Sequence, residues 1–245
     1  MSTEAQPISA DLQLSKVVAN LMPCSRSKAE QYIAQGWVRV DGQLVQEPQR
    51  RIAPGQRVEV DPQARLVPVL PVTMLLHKPA GLDGAQAQAC IADATRWAGD
   101  TSGVRHLAAH RQHLAAPLPL PDFAGGLVVF TQEPRVLRKL VEEAALVEQE
   151  LNADVEGSIA PDGLARMARG GLVVAGRPLP PTRVSWQSEA RLRFAVKGIA
   201  PEWIAPLCAQ VGLTVTALRR IRIGRVAMAG LPPGQWRYLR PDERF

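Results

Sequence analysis

The segment Leu14–Val60 constrains this chain most, because it spells out a small helix–helix–hairpin unit. Leu14, Val17, Val18 and Leu21 recur at i, i+3, i+4 and i+7, one apolar stripe of a helix. Cys24–Gln35 reads as a second helix. Serines at its start can cap free N–H groups, Ser27 and Glu30 have capping-box spacing, and Gly36 is the expected stop. Val38–Val40 and Gln43–Val45 flank an Asp41-Gly42 turn, which is a hairpin signal, and a further strand, Arg57–Val60, follows the turn at Pro54-Gly55. The apolar positions tie helices to strands. They leave Ser25, Lys16, Arg26 and Lys28 outside, with the three cations free to meet phosphate, which outlines a nucleic-acid-binding module.

The rest of the chain is read as a second body. At 245 residues and 46% hydrophobic content, there is enough material for one large or two modest domains with real cores. Domain boundaries are expected at 10–62 for the first module, 63–71 for a proline-bearing linker, and 72–245 for the larger domain, after a polar lead over residues 1–9. Strands are expected at Val72–Leu76, Gly126–Thr131 and, as a hairpin, over Val184–Val196. Helices are expected at Pro134–Ala145, Pro201–Val211 and in part of the alanine-rich stretch 85–116, and Val215–Ala229 ends in strand-like text. Helices mixed with antiparallel hairpins give an α+β fold class.

Charge and cysteine usage narrow the partners. Lys+Arg outnumber Asp+Glu by 29 to 23, a net charge of +6 that favours a polyanionic partner. No apolar leader of signal-peptide type and no bilayer-length run stand in the sequence, so no membrane partner is expected, and the cytoplasm is the expected compartment. Cys24, Cys90 and Cys208 are odd in number and lack a C-x-x-C pair, which argues against a disulfide framework or a cysteine zinc knuckle. His106, His110 and His113 have helical spacing, but no carboxylate completes a metal set, so a solvated histidine-bearing helix is expected and no metal. Gly170-Gly171 lacks the lysine and context of a phosphate loop and reads as a turn. Trp186, Trp203 and Trp236 read as core or hinge packing.

Two family resemblances follow from longer runs of text. Leu14-Ser15-Lys16, Cys24–Glu30 and Ile33–Gly42 together resemble the alpha-L RNA-binding domain of ribosomal proteins and tyrosyl-tRNA synthetases. In the larger domain, Leu76–Gly81, Gly126–Thr131, Leu218–Gly224 and Leu231–Leu239 resemble the catalytic domain of the RsuA-type ribosomal-RNA pseudouridine synthases. In that family an alpha-L domain precedes the catalytic domain, so the two resemblances agree in order. The resemblance implies RNA, ribosomal above all, as partner, no cofactor, and RNA contacts from Lys16, Ser25, Arg26 and Lys28 on the small domain and Lys78, Arg220 and Arg222 along the cleft of the large one. A monomer is expected.

The chemistry departs from the family pattern. The family carries Gly-Arg-Leu-Asp shortly before the Gly-Leu strand, and its aspartate is the nucleophile that detaches uracil from ribose. Here the text is Pro117-Leu118-Pro119-Leu120-Pro121-Asp122, so an ungapped alignment puts Pro121 at the nucleophile position and a one-residue gap puts Asp122 there. The arginine is replaced by Pro119 or Leu120. The family's stacking tyrosine falls on Leu151, which can neither donate nor accept a proton, and a basic run falls on Ile199–Leu207, which has none. These losses together imply an RNA-binding member with weakened or lost catalysis. An active synthase with Asp122 as nucleophile, and a ribosome-associated assembly factor using the same RNA surface, are the alternatives.

Overall fold

The computed structural model describes residues 12–245; the polar lead expected over 1–9 lies outside the described residues. The chain divides into two compact units, residues through Leu70 with Arg105–Gln112, and Pro71–Val104 with His113–Phe245. The boundaries read from sequence run contiguously, whereas the contacts group Arg105–Gln112 with the first unit.

The first unit carries β1 (Leu12–Gln13), α1 (Leu14–Leu21), α2 (Arg26–Ala34), β2 (Val38–Val40), β3 (Gln43–Val45), β4 (Arg51–Ile52) and β5 (Val58–Val60). The stripe of α1 buries Leu14, Val17 and Val18 against Ala29 and Ile33 of α2 and against Val38, Val40, Val45, Ile52 and Val58. The cap of α2 is Ser25, whose side chain accepts the Lys28 N–H at 3.3 Å, so the capping-box spacing of Ser27 and Glu30 goes unused. Gly36 ends the helix with φ +69°, and Asp41-Gly42 turn the hairpin with φ of 51° and 78°. β2 lies between β3 and β5, antiparallel to both.

The second unit carries β6 (Thr73–Lys78), α3 (Gly84–Ala89), β7 (Ala124–Thr131), α4 (Pro134–Glu142), β8 (Gln149–Gly157), α5 (Gly163–Arg169), β9 (Val173–Val174), β10 (Arg177–Pro178), β11 (Arg183–Ser188), β12 (Arg191–Val196), α6 (Ile204–Ala209), β13 (Leu213–Ile223), β14 (Val226–Ala227) and β15 (Trp236–Tyr238). An eight-stranded sheet runs β11-β12-β8-β13-β7-β6-β15, with β14 paired to β13 off that path. The β13–β7 pairing is parallel and its neighbours are antiparallel, so the sheet is mixed. One face packs Leu76, Val128, Leu151, Phe194, Leu207 and Leu218 into the main core; Leu75, Leu127, Val129, Leu140 and Val147 form a smaller one on the other. The alanine-rich stretch is less helical than its composition suggests, holding α3 and two short 3-10 turns, Asp93–Thr95 and Ala108–Arg111. His106, His110 and His113 therefore do not share a helix, and His113 has φ 51°.

Candidate active site and nucleic-acid interface

The segment resembling the catalytic loop, Pro117–Phe123, enters β7 under the control of one buried lysine. Lys78 ends β6, and its side chain is almost wholly enclosed. Its Nζ donates to the carbonyl oxygens of Ala124 at 2.8 Å, Asp122 at 3.2 Å, Pro79 at 3.3 Å and Pro121 at 3.4 Å. Burial pulls the Lys78 pKa below the usual lysine range, while Asp122 and Asp83 act to raise it. The expectation that Lys78 meets phosphate is corrected: its ammonium is spent inside, fastening the loop. Asp122 itself is exposed. Its carbonyl also accepts the Gly81 N–H at 2.7 Å, while its carboxylate has no hydrogen-bond or ion-pair partner among the described residues.

Arg220 is corrected in the same way. It is 0% exposed, and its guanidinium donates to the Leu127 carbonyl at 2.8 Å, the Leu118 carbonyl at 2.7 Å and Gln149 Oε1 at 2.9 Å. Burial pushes its pKa down to about 9, which still leaves a cation at neutral pH. Arg220 thus ties β7, β8 and the loop before β7 together from within. Gly126 makes this approach possible: a Cβ there would stand 2.6 Å from the Arg220 nitrogen and closer still to its carbonyl oxygen. Arg222 is half-buried and held by Glu148 and Glu150, each at 2.6 Å, and by the Gly224 carbonyl. Arg222 and Arg193 together hold Glu150 below the usual carboxylate range. Arg222 is therefore balanced by two acids and not free for phosphate.

The small unit keeps its expected cations outside. Lys16 on α1 and Arg26 and Lys28 on α2 are exposed. Arg26 pairs with Glu30 at 3.2 Å in i,i+4 spacing and also donates to Gln13, whereas Lys16 and Lys28 have no acidic partner among the described residues. Ser25 is occupied as the cap of α2, so its hydroxyl acts on the helix first. A surface ion pair such as Arg26–Glu30 is worth little, about 0–1 kcal/mol, and yields readily to a phosphate.

Sequence reading missed two features. Arg105 stacks its guanidinium 3.7 Å from the Trp37 ring centroid, beside a cavity of about 240 Å³ lined by Arg39, Glu59 and Asp61. His77, Asn152, Asp154, Arg191 and Arg219 also line a cavity of about 270 Å³ on the second unit, together with apolar residues such as Pro79, Ala80, Leu218 and Pro233. The signal for the second cavity was strand parity: β8 alternates Leu151, Ala153 and Val155 inward with Asn152, Asp154 and Glu156 outward.

Comparison with known proteins fits this geometry. The S4 domain model matches residues 13–58. The chain is 24% identical over 237 residues to the dual-specificity RNA pseudouridine synthase RluF of Escherichia coli, covering 96% of this chain and 77% of the relative. It is 23% identical over 238 residues to an uncharacterized RNA pseudouridine synthase of Aquifex aeolicus, covering 95% and 94%. The crystal structure of a pseudouridylate synthase shares the fold at a TM-score of 0.58 and 18% identity, over 93% of this chain and 96% of that one. Over nearly its whole length this chain is similar to RNA pseudouridine synthases, and it carries an S4 domain at residues 13–58.

Three positions depart from the pattern that the synthase resemblance implies. Leu151 is 0% exposed and pairs in register with Arg220, filling with hydrocarbon the place where the resemblance expects a tyrosine. Ile204 and Leu207 of α6 join the same core, where the resemblance expects basic side chains. The synthase loop is held by the Lys78 ammonium through main-chain carbonyls, so the identity of side chains at 119–122 is not what fixes its course.

Proposed function

We propose that this synthase-family chain is an RNA-binding protein that grips structured, ribosomal RNA and whose isomerase chemistry is weakened or lost. The observation that carries the second half is the pair Asp122 and Leu151. The one credible nucleophile is exposed, its carboxylate makes no hydrogen bond or ion pair among the described residues and feels only the charge of the nearby Lys78, and the place of the base-stacking ring is taken by a buried leucine. A nucleophilic carboxylate must be held at a fixed distance from the sugar and shielded from water, and neither condition is supported here. The first half rests on the S4 domain with Lys16, Arg26 and Lys28 exposed on it. The reading calls for no cofactor and a monomer acting in the cytoplasm. Among the described residues, no helix is long and apolar enough to cross a membrane.

An active synthase is the second reading, and the placement of Asp122 favours it: the residue sits on the loop that Lys78 anchors, immediately ahead of β7. Pseudouridine mapping of total RNA from cells with and without the protein, beside an Asp122→Ala strain, separates the two. Our reading expects the same map in all three. A site lost in both altered strains would instead establish Asp122 as the nucleophile. In parallel, Arg26→Ala with Lys28→Ala should weaken RNA binding and lower the log–log salt slope by about 2; an unchanged slope would remove the small unit from the RNA surface. Stable co-sedimentation with a ribosomal subunit would point to the assembly-factor role.

A further inference from the structure

The far end of the large sheet carries another cavity, of about 510 Å³, that takes no part in holding the synthase loop. One wall is α4, through Arg135, Val136 and Lys139; the other is the segment after β15, which brings in Leu239, Arg244 and Phe245. β7 sets its distance from Asp122. That strand spans the eight residues Ala124–Thr131, roughly 23 Å at ~3.3 Å a residue, and leads into Glu133 and α4. The loop anchored by Lys78 stands at one end of β7 and the cavity at the other.

The floor is hydrocarbon and the rim is cationic. Val136, Leu239 and Phe245 pack on the smaller core and stay partly exposed where they line the cavity. Arg135 is exposed and makes no hydrogen bond or ion pair among the described residues. Arg244, also exposed, donates to the main-chain carbonyls of Pro241 and Glu243, each at 2.6 Å, and meets no acid among the described residues. Lys139 pairs with Glu143 in i,i+4 spacing on the surface. Such a pair is worth about 0–1 kcal/mol and yields to a competing carboxylate.

Two acids also reach the cavity, and neither cancels that rim. Glu243 is bound by both terminal nitrogens of buried Arg237, each at 2.7 Å, and by Arg240 at 3.3 Å. With the Arg240 N–H on Glu243 at 2.8 Å and the Leu239 N–H on the Thr73 carbonyl at 2.8 Å, residues 239–245 are fixed before any partner arrives. A wall already ordered loses little entropy on binding. Glu133 accepts the Thr73 hydroxyl at 2.7 Å through Oε1, and its Oε2 has no partner among the described residues.

This lining asks for an anion, a hydrocarbon group and a hydrogen-bond donor together. A nucleic-acid backbone brings the anion, but no hydrocarbon for the floor, and Glu133 repels it. An acidic stretch of polypeptide brings all three: carboxylates for the two guanidinium groups, an apolar side chain for the floor, and main-chain N–H groups for Glu133 Oε2. The volume suits a few side chains and not a folded domain.

We infer that the cavity between α4 and residues 239–245 docks a short acidic segment of another protein, with carboxylates on Arg135 and Arg244 and an apolar side chain against Val136, Leu239 and Phe245. The surface lies away from the synthase loop and does not depend on the RNA-binding reading. It lets the large unit hold a protein partner while its other end stays open.

Fluorescence anisotropy on the full chain tests this, using a labelled peptide in which Asp and Glu flank one central Leu. Two control peptides replace the acids by their amides or the Leu by Ser. The parent should bind the first peptide at least tenfold more tightly than either control. Arg135→Glu with Arg244→Glu should weaken that binding at least tenfold at an unchanged thermal midpoint. A peptide with Lys at the acidic positions should then prefer this double variant to the parent. Arg26→Ala with Lys28→Ala should leave peptide binding untouched, which separates the site from the general pull of a net charge of +6. Structured ribosomal RNA and phosphatidylglycerol vesicles, titrated in parallel, should bind the Arg135–Arg244 variant as they bind the parent. No peptide binding by the parent, equal binding of the three peptides, or equal binding by parent and variant overturns the proposal. So does a tenfold loss of RNA or vesicle binding in that variant, because the cavity would then serve an RNA or a lipid surface.

Discussion

Arg219, Arg220 and Arg222 lie on one strand, β13, and have three different environments: the first is exposed at the rim of a cavity, the second is sealed in the core, and the third is clamped by two glutamates. Alternation along a strand sends Arg219 and Arg220 to opposite faces, and the register shift between Arg220 and Arg222 breaks the simple two-residue rule. Arg220 is thus a structural pin. Replacing it with methionine keeps much of the volume but strands two carbonyls and a glutamine oxygen, so Arg220→Met should lower unfolding free energy by roughly 2–4 kcal/mol. Its RNA salt slope, measured well below the melting range, should match the parent's. Urea titration with a parallel binding series would check both, and a flattened slope at unchanged stability would return Arg220 to the RNA surface.

At the scale of elements, the parts with a strong period or a demanding turn were legible in the sequence, and the parts held by distant contacts were not. The α1 stripe, the Asp41-Gly42 hairpin and the strand before Thr131 stand where their patterns put them, because each encodes its own geometry locally. The stretch 85–116 misled because even alanine's high helix propensity is a weak prior, and here tertiary contacts such as the Trp236 indole on the Ala92 carbonyl, at 2.7 Å, hold it irregular. The site was half legible for the same reason. Lys78 and Arg220 were picked out by type, but whether a cation faces water or a nest of carbonyls depends on the sheet around it. His110 shows what such enclosure does. Burial, with His106 nearby, lowers its pKa to about 4. Below pH 6.5 the unfolded chain takes up a proton that the folded segment refuses, so stability is full above that pH and falls as pH drops toward 4. Thermal melts over this window should show a steeper decline for the parent than for His110→Gln. Parallel curves would mean that His110 titrates alike in both states.

At the scale of the whole molecule, the chain returns from the second unit to complete the first. Residues 105–112 leave after Val104 and bring Arg105 onto the Trp37 ring and the Gly36 carbonyl, while Gln46 binds the main chain of His106 at 3.1 Å and of Ala108. No period or motif announces this, since the segment is non-helical at its start and its partners lie some sixty positions upstream. The consequence is that the RNA-binding unit owes part of its stability to residues outside the S4 match at 13–58. The stacked guanidinium is worth about 0.5–2 kcal/mol and its hydrogen bond about 1 more. Arg105→Ala should therefore loosen the Val38–Val45 hairpin next to Trp37 without touching the strands of the large sheet. Hydrogen exchange followed by mass spectrometry reads both at once. Faster exchange confined to the hairpin is the expected result, with RNA affinity falling only as far as that unit opens. Unaltered hairpin protection would show that residues 105–112 rest on the small unit without supporting it.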